Sequence, residues 1–171
     1  MAVADRVGTT APVALIAIAI AWLGCSSAVA AAAARDPHSH ADPSQYVVRH
    51  AVLDLETDFS AQRLRGTVDL TVERIAPTAD RLLLDTRGLE IRAVDLRDEA
   101  GALTPLEHRL GPPDPILGRA LEIDMPAPTS TTARQVVRVE YSTGPDATAL
   151  QWLAPEQTAG RAQPFLYTQS Q

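Results

Sequence analysis

Lysine is absent from this 171-residue sequence: all 15 basic residues are arginine, set against 21 Asp and Glu, for a net charge of −6. The arginines are scattered, so there is no cationic patch. That excludes a nucleic-acid surface, which needs clustered cations to neutralise phosphates. Cysteine occurs once, at Cys25, so no disulfide can form within the chain and burial alone must hold the fold. Aromatic residues make up 4% of the chain, which leaves Leu, Val, Ile and Ala to build the core. No apolar stripe of 3.6-residue period follows the first segment, and no internal repeat is found. Catalytic signatures are also missing. There is no H-E-x-x-H, no G-x-S-x-G, no Gly-rich phosphate loop and no C-x-x-C. His38 and His40 lie two apart in a polar arm, and His50 and His108 stand singly. A zinc site needs three or four converging ligands, so the sequence implies no metal or other cofactor held by this chain.

What is present begins with a targeting segment. Arg6 supplies a charged start, and residues 13–23 (VALIAIAIAWL) form an apolar run of signal-peptide length. Ala28-Val29-Ala30 is a small-x-small cleavage site, so residues 1–30 read as a signal peptide and the product as periplasmic or secreted. Leu23-Gly24-Cys25 resembles a lipoprotein box, which keeps lipidation at Cys25 open as the alternative. Contact with a membrane is expected only through that segment or a lipidated Cys25. Residues 31–44, with two prolines, read as a flexible linker.

From residue 45 the chain reads as one all-β domain. Residues 46–59 alternate, with Ala51, Leu53, Leu55 and Phe59 on one face and His50, Asp54, Glu56 and Asp58 on the other. Residues 64–73 alternate again after a short polar turn, which predicts a hairpin with Leu64, Val68, Leu70 and Val72 inward and Asp69 on a solvated face. Residues 81–86 form a short apolar strand. Residues 89–97 shift phase between Ile91 and Val94, as a β-bulge does. Pro105 interrupts a weak strand over 103–110, and residues 120–125 and 135–141 complete the set. Pro and Gly recur between these runs at the spacing of a sandwich or an open sheet. The carboxylates Glu90, Asp95, Asp98, Glu99, Glu122 and Asp124 fall on outward positions and read as solubilising.

The last stretch, LQWLAPEQTAGRAQPFLYTQSQ over residues 150–171, is the most specific. Trp152 sits among apolar neighbours, a polar turn follows, and a β-type run enters at Pro164. Gln169 and Gln171 lie two apart, on one face of that run. An amide both donates and accepts, which suits a peptide carbonyl and amine. The run stops mid-pattern, so the chain reads as the front piece of a longer protein.

The wording W-L-x-P-E-Q-T-x-G followed by P-F-L-Y-T-Q-x-Q resembles the N-terminal domain of peptidase family M1, the zinc aminopeptidases, in its leukotriene-hydrolase/aminopeptidase branch. The pattern L-x-L-D-T-x-x-L-x-I-x-x-V across residues 82–94 is similar too. The resemblance implies an open, saddle-like or sandwich arrangement of antiparallel and mixed sheets over residues 45–171, packed against a catalytic domain. It implies one zinc ion in that other domain, a peptide substrate, and Gln169 and Gln171 lining the substrate pocket. It assigns no catalytic residue to this chain, which by itself would not cleave peptides. The alternative is an exported β-sandwich that binds a partner and has no peptidase activity.

Overall fold

The computed structural model describes residues 36–127 and 134–169. The apolar N-terminal run, Cys25 and Gln171 lie outside the described residues. The described residues form ten strands and one short 3-10 helix, and every ladder among them is antiparallel. The fold is all-β, as the alternation implied, but no mixed pairing occurs among the described residues.

The first hairpin joins β1 (Tyr46–Asp58) to β2 (Arg63–Arg74). Asp58 closes its turn: one carboxylate oxygen accepts from the Ser60 N–H and hydroxyl and from the Ala61 N–H, at 2.6–2.9 Å. Those bonds, Ser60 first, hold the Asp58 carboxyl below its usual range. Gly66 in β2 has φ +150°, and a Cβ there would lie 2.1 Å from the Asp54 carbonyl oxygen. Only glycine lets the two backbones approach so closely.

β8 (Arg134–Thr143) pairs with β2 and with β4 (Leu89–Arg97), and β5 (Leu103–Pro105) pairs with β4. The sheet order is β1-β2-β8-β4-β5. The register of β4 slips between Ile91 and Ala93, where the phase shift placed a bulge. A second sheet has the order β3-β7-β6, from β3 (Arg81–Asp85), β7 (Ala120–Asp124) and β6 (His108–Leu110). The weak run around Pro105 is therefore two strands in two sheets. Proline at the end of β5 withholds a donor, and the chain leaves one ladder to enter the other. Leu106 stays tied to the first sheet, its N–H donating to the Val94 carbonyl.

The core lies between these layers. Val72, Val94, Val137 and Val139 of the larger sheet meet Leu82, Leu121, Ile123 and Met125 of the smaller side. Leu121, Ile123, Val72 and Val137 are the largest fully buried side chains, and each contributes roughly 1.5–3 kcal/mol by leaving water.

The first strand corrects the sequence reading. Ala51, Leu53 and Leu55 pair with Leu70, Val68 and Gly66 and so share the core-facing side. Yet Leu53 is 58% exposed and Phe59 42%. Three strands cover five, so β1 joins the core only at its start, through Tyr46 at 5% exposure, and its middle lies bare. Residues 36–44, whose composition marks a linker, are tied to the small sheet. The Ser39 hydroxyl and the His40 N–H both donate to the Asp85 carboxylate, at 2.6 and 2.8 Å.

Candidate functional site

Strands β9 (Leu150–Leu153) and β10 (Phe165–Thr168) form a separate two-stranded hairpin, with Trp152 opposite Leu166 and Gln151 opposite Tyr167. Between them the 3-10 helix Pro155–Gln157 opens the turn. Gln157 reaches back to accept from the Ala154 N–H at 2.9 Å. Arg161 and Gly160 both take positive φ to turn the chain. The local sequence therefore dictates the loop: proline starts the single turn, glutamine caps it, and glycine reverses it.

The hairpin has two unlike faces. Trp152 packs edge-on against Phe59, the ring centres 5.6 Å apart and the planes at 87°, which ties the hairpin to the β1–β2 turn. Its indole nitrogen is shielded from solvent and finds no acceptor among the described residues. On the other face Phe165 and Tyr167 are about half exposed, with Gln151 and Gln169 exposed beside them. The Gln169 N–H still donates to the Ala149 carbonyl at 3.1 Å, so the ladder carries its amide onto that aromatic face. The structure thus exposes Gln169 at the end of the strand, while Gln171 lies outside the described residues. A cleft of about 400 Å³ opens beside this face, lined by Leu153, Gln157, Thr158, Gln163 and Phe165 among others. A second, of about 460 Å³, lies under Phe59 and Trp152. Both are within the size range of small-ligand pockets.

Elsewhere several of the charged groups satisfy one another. Glu90 takes Arg63 and the Ser142 hydroxyl; Glu122 and Asp124 take Arg81 and Arg109. One carboxylate departs from the solvated role read from its alternation. Asp69 is only 9% exposed. It accepts from Arg138 through two nitrogens, at 2.6 and 2.8 Å, and from Arg97 at 2.5 Å. The Arg138 bond, opposed in part by desolvation and aided by Arg97, holds its carboxyl below the usual range. Alternation places Asp69 outward correctly, but cannot show that two arginines from different strands close over it. Among the described residues no group of three His, Cys, Asp or Glu converges to hold a metal ion.

No protein-family model matches the chain. It is 32% identical to leukotriene A-4 hydrolase of Xenopus laevis over 136 residues, which is 80% of this chain and 22% of that protein. It is 36% identical to leucine aminopeptidase 2 of Yarrowia lipolytica over 139 residues, 80% of this chain and 20% of that one. The chain spans about a fifth of the length of the curated relatives it matches. Native leukotriene A4 hydrolase from Saccharomyces cerevisiae superposes with a TM-score of 0.66 at 24% identity, covering 80% of this chain and 21% of that one, and shares its fold. Over 80% of its length the chain is thus homologous to leukotriene A-4 hydrolase and leucine aminopeptidase 2 of peptidase family M1.

Proposed function

We propose that this domain is the non-catalytic substrate wall of an exported M1-type zinc aminopeptidase, which removes N-terminal residues from peptides. The observation that carries it is the exposed β9–β10 face within a chain related to leucine aminopeptidase 2. Gln169 offers a peptide two donors and one acceptor, and Phe165 and Tyr167 flank it as apolar walls. Gln171 would extend the same polar edge. Among the described residues no zinc site is formed; on this reading the ion and the hydrolytic groups would sit in a catalytic domain outside this sequence, and the residues described here take no bond-breaking step.

A chimera tests this reading. Residues 45–171 replace the matching N-terminal segment of Yarrowia lipolytica leucine aminopeptidase 2. The expected result is a zinc-loaded enzyme that cleaves a leucine anilide, with Gln169→Ala and Gln171→Ala each raising KM. A folded, zinc-loaded chimera whose KM ignores both changes would overturn it, and would favour a binding module without peptidase activity.

Export belongs to the same proposal. Cleavage before Ala31 would release a periplasmic or secreted protein, and lipidation of Cys25 is the alternative. The N-terminal mass of the mature protein, with or without an added diacylglycerol, separates the two.

A further inference from the structure

Strand β1 is the free edge of the five-stranded sheet: it pairs with β2 on one side and with no other strand among the described residues. Proteins usually blunt such an edge by shortness, proline, lysine or an inward charge. The opposite edge does so, since β5 has three residues and ends at Pro105. β1 has 13 residues and no proline. Its one register shift lies between Val48 and His50, and pairing is regular from His50 to Asp58. Val52 and Leu53 at its centre are 53% and 58% exposed.

Basic and acidic residues are segregated along β1, with Arg49 and His50 in its first half and Asp54, Glu56 and Asp58 in its second. Three of these are used within the chain: Arg49 by Glu73, Glu56 by Arg65, and Asp58 by its own turn. No side-chain bond or ion pair engages His50 or Asp54 among the described residues. These two lie on the same face, each two residues from Val52.

From this symmetry we infer that β1 is the pairing edge for a second copy of the chain. Two β1 strands run antiparallel about a two-fold axis through Val52, perpendicular to the sheet. His50 then faces Asp54 twice, Ala51 faces Leu53 twice, and Val52 meets its own copy. A two-fold axis of this kind keeps the outer faces together, so polar meets polar and apolar meets apolar. A partner strand of another sequence would have to reproduce this polarity in reverse; the chain itself already does. The inference does not depend on the aminopeptidase reading.

Cysteine cross-linking in the full chain, with Cys25→Ser as background, tests it. Val52→Cys should give a disulfide-linked dimer under a mild oxidant, while Ser60→Cys in the exposed turn stays reduced. Adding H50D should lower the Val52→Cys yield about fivefold, because both facing pairs become like-charged. Combining H50D with D54H should restore it. Equal cross-linking at positions 52 and 60 would mean unspecific association and overturn the inference. So would a yield indifferent to H50D, or one that the double exchange fails to restore.

Discussion

At the scale of single residues, Asp69 and Gly66 carry the sharpest consequences. Asp69 joins three strands of the large sheet through Arg138 and Arg97. Its folded pKa lies below the unfolded value of about 3.9. The stability it contributes is therefore complete above that value and is lost as pH falls through the folded pKa. Asp69→Asn should cost about 1–3 kcal/mol at neutral pH and flatten the acid limb of a stability–pH curve measured by urea unfolding. An unchanged acid limb would show that other carboxylates dominate. Gly66→Ala forces a methyl group against the Asp54 carbonyl at a φ that side chains avoid. A loss of about 2 kcal/mol or more is expected in the same assay, at the upper part of the overpacking range. Gly66 falls within a clean alternating run, so periodicity shows nothing of its backbone role.

At the scale of elements, the β9–β10 hairpin is held to the β1–β2 turn through Phe59 and Trp152. A double-mutant cycle with Phe59→Leu and Trp152→Phe should return a coupling of about 0.5–1.5 kcal/mol. A value near zero would mean that the hairpin is positioned by its own ladder alone. β1 gives the opposite prediction. Its alternation equals that of β2, yet beyond the buried Tyr46 its apolar face lies largely bare among the described residues. Leu53→Ala should change stability by no more than about 0.5 kcal/mol, the range of exposed substitutions. The element boundaries were largely legible, because turn residues such as Ser60, Gly88 and Pro126 interrupt the apolar runs. Pro105 misled, since a residue that ends one strand also marked a crossing between sheets.

At the scale of the whole molecule, stability concentrates where two layers close over Val72, Val137, Leu121 and Ile123. Leu121→Ala should cost about 2–5 kcal/mol in equilibrium unfolding, far more than the same truncation at Leu53. A similar cost at both positions would show that β1 is covered in solution. The candidate site was legible in part. The stretch over residues 150–171 drew attention to a turn and a strand carrying Gln169, but the pairing of that strand with β9, the aromatic face beside the glutamine and the Trp152–Phe59 contact were not readable from it. Spacing along one strand carries no record of such neighbours.

The sequence by itself determined the class of the fold and most strand positions. Period-two alternation and punctuation by proline and glycine act within a few residues, where the chain's own stereochemistry decides. It also determined the absence of lysine and of disulfides. Only the tertiary structure decided which alternating faces are covered, why Asp69 is enclosed, and that β1 is an open edge among the described residues. Covering a face takes a second sheet brought there by distant pairing, and that depends on register and sheet order across the whole domain.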